Sequence, residues 1–523
     1  MPAPALACGF PLAFPQPILI IKPMLRILGS NKQLCDGVNR REMLRIGGLG
    51  LAGLALPDLL ALQQAGAASD RPREAGFGRA KNILLIHLYG APSQIEWVDP
   101  KPDAPLEVRG ELGTISSNLV GCQVGELFPK MAQAMDKVCV LRSLTHEHPI
   151  HGVANALTGV PTIDVAMELK PNDPRHWPFF GSVVEYVDGQ RRGDQKLPSI
   201  PPNIALPFRF SSQREGEVPR AGPYAAFLGN QYDPVWTEFR GTATKGIKKT
   251  LNDKVFEGND PYMGVADDCH FALPNAGALQ QDWTLDRLSQ RRSLLEQMNL
   301  LAPQIGASAS AAKLSRHQQA ALALLESPKI GAALDVRKED AQTRALYGPT
   351  LFGQSCLAAR RLLEAGGRVV SVFWDEFGLA GMGWDTHWNH YTRMKDELAP
   401  GFDQGWYGLI TDLDRRGLLD ETLVVCTSEH GRTPKLTPGN GGGRDHWSRV
   451  YSSLLAGAGV ARGKIVGVSD KHAGEVADRP VSPKDLLAAM YHLLGIDPHT
   501  LIHDLAGRPM PLTYGHVIED CLA

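Results

Sequence analysis

Four short segments of the sequence combine histidine with carboxylate side chains, the residue types that bind metal ions. They are HEHPIHG (146–152), GWDTHWNHY (383–391), SEH (428–430) and GGGRDHW (441–447). Seven of the 16 histidines lie in these segments, which favours a shared role over scattered surface positions. Imidazole with carboxylate suits zinc, manganese or iron, whereas carboxylate with few thiols suits magnesium or manganese. Taken singly, each segment is also compatible with ordinary turn chemistry.

Near-continuous apolar runs precede three of these segments and predict strands that are covered on both faces. The runs lie at 80–90, 137–144, 367–374 and 422–428. Such runs are typical of a parallel sheet, because both faces of its strands are buried under helices. The last run stops abruptly at Glu429-His430, where a strand that only served the core would not need polar side chains.

Helical patterns separate the strands and predict an α/β domain. Two helices are expected within 289–327, and others at 352–367, 401–421 and 482–495. In an α/β sheet, ligands gather outside the carboxyl ends of the strands, which is where the polar segments fall. Residues 165–285 are rich in Pro, Gly and aromatic residues with little periodicity, and are predicted to form a long insertion or cap.

Composition excludes several classes of protein. The chain has 523 residues, 21% of them charged, with a formal net charge of −2, so it has no basic surface for nucleic acid. A hydrophobic content of 43% is that of a globular protein. Its eight cysteines form no CxxC motif, which argues against a disulfide framework or a zinc finger.

The N-terminal part has the layout of an export signal. Arg40 and Arg41 precede a moderately apolar, Gly-rich run that ends in small residues, as in twin-arginine signals. A membrane anchor or a core helix is the alternative, although the apolar run is short for a stable span. We expect residues 1–68 to be an N-terminal extension and signal peptide, with translation starting at Met1 or Met24.

Export then gives the expected location of the folded domain, residues 69–523, in the periplasm or at the cell surface. Contact with the membrane is expected only during export. The twin-arginine route also implies folding before transport, commonly with a metal or cofactor already bound.

The stretch FDQGWYGLITDLDRRGLLDETLVVCTSEHGR resembles the helix–strand–loop beside the metal site of sulfatases and other alkaline-phosphatase-like enzymes. More specifically, the chain resembles a bacterial family catalogued as domain of unknown function 1501, which is common in planctomycetes. The motifs that carry this resemblance are NRREMLRIGGLG, HLYGAPSQIEWVDPKP, GWDTH, SEHGRTPK, GRDHW and LLGIDPHTLIHDLAGRPM. The resemblance implies a mainly parallel central sheet with helices on both faces and a long loop-rich insertion.

The resemblance to the superfamily also implies a set of metal ligands. Asp385 and His387 in GWDTH match one half of a metal site, and His446 matches its distal histidine. Glu429 and His430 match the Asp-His of the second half, with Glu in place of Asp. The expected ion is divalent: zinc, manganese, calcium or magnesium.

Two departures from the superfamily pattern limit what the resemblance implies. The aspartate expected at the end of the first strand is replaced by Tyr89. The segment HEHPIHGVANALTG also lacks the Cys or Ser nucleophile of sulfatases. A formylglycine sulfatase is therefore not expected.

The remaining polar side chains supply candidate catalytic residues. His148 or His151 could transfer a proton, and Thr145 is a weaker candidate for a nucleophile. Arg432 could hold an anionic oxygen of a substrate, or could instead form a structural ion pair.

The sequence therefore predicts an exported metal-dependent hydrolase of phosphate or sulfate esters that acts through metal-bound water. Its substrate would be a small anionic ester or a sulfated glycan. The alternative is a catalytically degenerate sulfatase-like protein that binds anionic or sulfated glycans or a surface partner. A membrane-anchored structural protein would require the 46–62 segment to remain uncleaved.

Replacing Arg40 and Arg41 by Lys should leave the precursor in the cytoplasm, because twin-arginine transport reads the arginine pair. Exported parent protein should begin near Ala68 or Ser69. Cell fractionation and N-terminal sequencing measure both outcomes. Exported protein that still contains residue 50 would contradict cleavage.

Overall fold

The fold is that of a mainly parallel α/β sheet. A computed structural model describes residues 75–148, 151–162, 164–193, 198–215, 220–251, 254–274, 328–379, 381–439 and 441–523. The predicted export signal and the two helices predicted within 289–327 lie outside these described residues.

Eight strands pair into the central sheet in the order β8-β2-β7-β6-β1-β5-β3-β4. Their bounds are β1 (Asn82–Leu88), β2 (Val138–Leu144), β3 (Asn203–Leu206), β4 (Val235–Trp236), β5 (Val369–Trp374), β6 (Thr422–Thr427), β7 (Tyr451–Gly457) and β8 (Lys464–Val466). Strand β7 runs antiparallel to both of its neighbours, and the other pairs are parallel. The four strands predicted from apolar runs are confirmed as β1, β2, β5 and β6.

Both faces of the sheet are buried, which explains why its strands are apolar at successive positions. In β1, Leu84 and Ile86 belong to the hydrophobic core on one face, while Ile83 and Leu85 belong to the core on the other. Each such side chain contributes about 1.5–3 kcal/mol when it is fully buried. The central position of β1, between β5 and β6, is therefore fixed from both sides.

Helices cover both faces of the sheet. Their bounds are α1 (Leu106–Arg109), α2 (Val153–Thr158), α3 (Phe180–Arg192), α4 (Pro328–Leu334), α5 (Ala341–Tyr347), α6 (Leu351–Glu364), α7 (His390–Arg393), α8 (Ala399–Arg415) and α9 (Pro483–Leu493). Helices α6 and α8 contribute to one hydrophobic core, and α3 and α9 to the other. The predicted helices at 352–367, 401–421 and 482–495 are confirmed as α6, α8 and α9. No helix in the described part of the chain is long and apolar enough to span a membrane.

Side-chain caps define where the main helices begin. The Ser482 side chain accepts a hydrogen bond from the Asp485 backbone at the start of α9, and the Asp485 side chain reaches back to the Ser482 backbone. Thr350 caps α6 in the same way by accepting from the Gly353 backbone N–H. These caps satisfy backbone donors that have no partner within the helix, and each contributes ~1 kcal/mol.

Shorter strand pairs form the periphery of the sheet and its loops. They are Thr114–Ser116 with Gln123–Gly125, Glu238–Arg240 with His270–Ala272, Gly246–Leu251 with Lys254–Asn259, Gly431–Arg432 with His446–Trp447, Val468–Ser469 with Val476–Asp478, and Leu501–His503 with Pro509–Pro511. The pair that includes Arg432 and His446 matters for function, because it carries two of the predicted site residues.

Part of the segment predicted as an insertion, roughly 165–285, belongs to the central sheet itself. Strands β3 and β4 extend the sheet beyond β5, and α3 packs on one face. Strands β3 and β4 were not predicted because β3 has four residues and β4 only two, too few to show a period.

Two helical glycines offer a matched test of the packing between helices. A Cβ on Gly408 of α8 would lie 2.6 Å from the Leu346 carbonyl oxygen, whereas a Cβ on Gly331 of α4 would meet no described atom within 4 Å. Gly408→Ala should lower the thermal unfolding temperature, since overpacking costs about 1–3 kcal/mol. Gly331→Ala should raise the unfolding temperature, because alanine is more favourable than glycine in a helix interior by up to about 1 kcal/mol. Circular dichroism melts measure both, and equal effects would contradict the packing.

Candidate metal centre

The carboxyl ends of neighbouring strands bring the polar segments to one edge of the sheet. Gly90 follows β1, His151 lies in the loop after β2, Asp385 in the loop after β5, and Glu429 follows β6. Parallel strands end at the same edge, so side chains distant in sequence meet there. The hydrogen bond from Gly90 N to Glu429 Oε1, 2.7 Å long, joins two of these strand ends directly.

Asp385, His387 and His446, which we call the outer ligand group, each place one ligand-type atom at a corner of a compact triangle. His387 Nε2 lies 3.0 Å from His446 Nε2 and 3.0 Å from Asp385 Oδ1, and His446 Nε2 lies 3.3 Å from Asp385 Oδ1. Metal–ligand bonds of about 2.0–2.1 Å in a tetrahedron place neighbouring ligand atoms about 3.3 Å apart. The triangle therefore has nearly the dimensions of one face of a tetrahedral zinc-type site.

A hydrogen bond orients the ring of His387 within the outer ligand group. Its Nδ1 lies 2.7 Å from Asp445 Oδ1, and the tautomer that donates from Nδ1 to that carboxylate carries its lone pair on Nε2. The lone pair faces Asp385 Oδ1, another acceptor, at the same point. The Arg432 guanidinium lies beside both acceptors: its Nη2 donates to Asp385 Oδ1 over 2.5 Å, and its Nη1 lies 3.5 Å from His387 Nε2.

Glu429 and His430 form the inner ligand group, which is fully buried. His430 Nδ1 donates to the Gly431 carbonyl oxygen over 2.8 Å, so the neutral ring carries its lone pair on Nε2, which has no hydrogen-bond partner among the described atoms. Burial, reinforced by the nearby Arg432 cation, holds the pKa of His430 well below its usual range and keeps the ring neutral. A buried acceptor without a donor is what a metal ligand presents in the absence of its ion.

His151 lies between the two groups and contacts both. Its Nδ1 is 3.0 Å from Glu429 Oε1, and its Nε2 is 3.2 Å from Asp385 Oδ2. The potential ligand atoms of His151 with the outer group lie within 4.8 Å of one another, as do those of His151 with the inner group. Burial lowers the pKa of His151, but the Asp385 and Glu429 carboxylates outweigh this effect and raise it to about 9.

The two carboxylates stay ionised despite their burial. Burial alone would raise the pKa of Asp385, but Arg432 and His151 hold it well below its usual range. For Glu429, burial is likewise outweighed by hydrogen bonds from His151 and His87, and its pKa also lies well below the usual range. Both carboxylates are therefore available as anionic ligands at neutral pH.

Glycine permits the close approach of the loops. Gly90 has a φ of 91°, in the left-handed region, and a Cβ there would clash with the backbone of Asp385. A Cβ on Gly443 would clash with the His387 carbonyl group. These two positions let the GWDTH loop lie against both the end of β1 and the segment that carries His446.

The structure thus brings the five predicted metal ligands together, with His151 between them. Arg432 is completely buried, and its Nη2 donates to Asp385 Oδ1 over 2.5 Å. Its other contacts are the Ala91 carbonyl, the Arg444 carbonyl and His387. This geometry favours the structural ion pair over direct contact with a substrate anion.

The other two predicted catalytic residues lie in the same loop as His151, without a described contact to the cluster. His148 donates its backbone N–H to His146 Nδ1, and the backbone N–H of Thr145 donates to the Val481 carbonyl. His146 contacts the site instead, because its Nε2 lies 2.7 Å from the Glu429 carbonyl oxygen. Among the three histidines of this loop, only His151 reaches both carboxylates.

Three buried residues of the site were not predicted from the sequence. His87 Nε2, in β1, lies 3.3 Å from Glu429 Oε2, while Glu96 forms an ion pair with Arg444, two residues before His446. A histidine inside the apolar run NILLIHL was the signal for His87, since a fully buried imidazole needs a partner. The pairing of Glu96 with Arg444, 348 residues apart, left no local signal.

Tyr89 directly follows β1, at the position where the resemblance to sulfatases implied an aspartate. It is completely buried, and its ring stacks on His151 with centroids 5.1 Å apart and an interplanar angle of 16°. The Arg220 guanidinium lies 5.6 Å from the centre of the same ring. Tyr89 therefore orients His151 by packing and supplies no carboxylate.

The protein is therefore an α/β protein with a mainly parallel central sheet and a histidine–carboxylate cluster at the carboxyl edge of that sheet. Residues 80–522 match the family described as Protein of unknown function (DUF1501), and the chain belongs to that family. No curated protein is significantly similar to the chain in sequence.

Similar solved structures include hydrolases and a synthase. The lipoteichoic acid synthase LtaP from Listeria monocytogenes has a TM-score of 0.36 and 10% identity, over 86% of this chain and 79% of that chain. The PsFucS1 sulfatase from Pseudoalteromonas sp. has a TM-score of 0.34 and 12% identity, over 85% and 72%. The phosphonate monoester hydrolase SpPMH from Silicibacter pomeroyi has a TM-score of 0.31 and 11% identity, over 84% and 76%.

The charge of His151 predicts a pH-dependent contribution to stability in protein stripped of metal by a chelator. Its pKa is raised from 6.5 to about 9, so the stabilisation is fully present below about pH 6.5 and is lost as pH rises through about 9. His151→Gln should therefore lower the unfolding temperature more at pH 6.5 than at pH 10. His499→Gln, at an exposed histidine, is the control. A decrement for His151→Gln that does not change with pH would contradict the assignment.

Proposed function

We propose that this protein is an exported metal-dependent hydrolase of phosphate or sulfate esters. The observation that carries the proposal is the triangle of Asp385 Oδ1, His387 Nε2 and His446 Nε2, with sides of 3.0–3.3 Å. Its donor set of two imidazoles and one carboxylate suits zinc, and also manganese. The second carboxylate–imidazole pair, Glu429 and His430, supports an adjacent position.

Four residues of the site would then have defined roles in holding the ion. Asp385, His387 and His446 would hold it, and Asp445 would fix the ring of His387 through its Nδ1. A bound divalent ion supplies positive charge, which acidifies water and polarises an ester oxygen. The Asp445–His387 contact would fix the direction of Nε2 and make it a more basic ligand atom.

His151 is placed to move a proton. Its ring is held by both carboxylates and by stacking on Tyr89, so it has little freedom to turn away. In its protonated form it would act as a general acid, giving its proton to the leaving oxygen, which departs as the alcohol. Asp385 and Glu429 stabilise the charged form before the proton is given up.

Binding without turnover is the alternative function. A degenerate site would keep the same ligand atoms and recognise an anionic or sulfated glycan through the ion alone. Arg432 does not distinguish the two functions, because its guanidinium is committed to Asp385 in either case. Turnover does distinguish them.

His446→Ala should lose both bound metal and ester hydrolysis, since it removes one corner of the outer ligand group. His151→Ala should retain the outer-group metal but lose about 10²–10⁴-fold in rate, the usual effect of removing a general acid or base. Metal content is measured by elemental analysis, and hydrolysis with aryl phosphate, phosphodiester and sulfate esters. His499→Ala is the control for loss of a histidine outside the site.

Three results would each change the proposal. Metal retained at the parental level by His446→Ala would remove the outer ligand group from the site. Metal bound by the parent without turnover above that of His446→Ala would favour the binding protein. A parent that binds no divalent metal after folding in its native host would contradict both functions.

A further inference from the structure

A buried ion pair joins the loop after β1 to the segment that carries the outer-group residue His446. Arg444 is completely buried, and Glu96 is 2% exposed. Arg444 Nε donates to Glu96 Oε1 over 3.0 Å, and its Nη2 donates to the same oxygen. Glu96 follows β1, and Arg444 immediately precedes Asp445 and His446, so the pair ties the first strand end to the segment that carries the distal ligand.

All five N–H donors of the Arg444 guanidinium have acceptors. Besides the two bonds to Glu96, Nη1 donates to the Thr433 and Pro434 carbonyls, and Nη2 donates to the Val108 carbonyl. A planar guanidinium that is satisfied at every donor has one position and one orientation. The hydrogen bonds of the Arg444 side chain therefore also fix the position of the Arg444 backbone.

The same pair reaches the other ligand segment through Thr386, which lies between Asp385 and His387. Arg444 N donates to the Thr386 carbonyl over 3.1 Å. Glu96 Oε2 lies 3.5 Å from His390 Nε2, and His390 Nδ1 lies 2.7 Å from Thr386 Oγ1. Glu96 thus connects, by two routes, to a residue adjacent in sequence to both of those ligands.

Fold stability alone is a weak reason for such a pair. Desolvating two charges costs several kcal/mol per ion, and well-packed apolar residues of similar volume are often as stable or more stable. What a buried ion pair with a fully hydrogen-bonded guanidinium supplies, and apolar packing does not, is a fixed distance between loops. The loops fixed here are those whose ligand atoms must stay about 3 Å apart.

We propose that Glu96 is a positioning residue that sets the spacing of the outer ligand group, by holding Arg444 beside the His446 segment and His390 against Thr386. The inference rests on the proposed metal site. It assigns Glu96 no contact with the ion or the substrate. Loss of Glu96 leaves Asp385, His387 and His446 present but no longer fixed at their mutual distances.

Glu96→Ala should weaken metal binding about 10–100-fold, the usual effect of removing a residue that orients metal ligands. Glu96→Gln should weaken metal binding less, because the glutamine amide oxygen still accepts a hydrogen bond from Arg444. This variant also keeps the proposal testable if the alanine variant does not fold. The dissociation constant for zinc is measured by competition with a chromogenic chelator. Thermal unfolding of the metal-free proteins is measured in parallel.

Asp412→Asn is the matched control for loss of a buried ion pair. Asp412, near the end of α8, accepts from Arg416 Nε at 2.8 Å and lies 3.1 Å from Arg360 Nε. Because the chain passes from α8 into the start of β6, Asp412 lies at the opposite edge of the sheet from the ligands. This variant should lower the unfolding temperature and leave the zinc constant unchanged.

The outcomes separate this inference from the proposed function. Suppose that the parent protein binds zinc and that Glu96→Ala and Glu96→Gln both bind it with dissociation constants within twofold of the parent's. That result overturns the positioning role of Glu96 and leaves the proposed metal site intact. An Asp412→Asn variant that weakens zinc as much as Glu96→Ala overturns it too, because the effect is then one of general stability. A parent that binds no zinc, manganese, calcium or magnesium overturns both.

Discussion

Two buried carboxylates, Asp385 and Glu429, impose the constraint on which the rest of the site depends. An ion removed from water costs several kcal/mol even after relaxation, so each carboxylate must be compensated by charge or hydrogen bonds. Asp385 has Arg432 and His151, while Glu429 has His151 and the backbone N–H of Gly90. His151 serves both, which is why the two ligand groups lie next to each other.

The direction of the strands explains how ligands from distant parts of the chain reach those carboxylates. The inner group follows β6 directly, as the rule for parallel sheets predicts. The position of His446 in the outer group depends on the one antiparallel strand of the described sheet. Strand β7 runs antiparallel, so it begins at the edge where β6 ends, and His446 is placed just before a strand. One reversed strand therefore lets residues before and after strands meet at a single point.

The fold was predictable where physical constraints are local. Continuous apolar runs identify β1, β2, β5 and β6 because a sheet buried on both faces excludes polar residues from its strands. Strands β3 and β4 and the reversed direction of β7 depend on pairing between residues far apart in sequence. No local period or turn signal records such pairing.

The site was predictable as a set of residues and much less so in its geometry. Imidazoles and carboxylates at strand ends indicate a site from chemical type, and the resemblance to sulfatases then selected the five predicted ligands among them. The commitment of Arg432 to Asp385, and the role of His151 rather than His148, follow from which rotamers and loop paths fit together. Glu96 and Arg444 are individually unremarkable in the sequence, and only their distance in space shows what they hold.

Exposure is graded across the cluster, and this decides how a substrate can approach. The Glu429 side chain is 0% exposed, those of Asp385 and His151 are 9% and 12%, and those of His446 and His387 are 21% and 30%. Under the proposed function, an ester would meet the outer ligand group first, because the inner group is shielded from solvent. Because burial strengthens electrostatic interactions, the inner carboxylate acts on His151 across a low dielectric, and the outer histidines face water. The reacting group of a substrate would lie at the boundary, with the remainder of the molecule outside, so the cluster itself constrains the anionic group far more than it constrains the alcohol to which that group is attached.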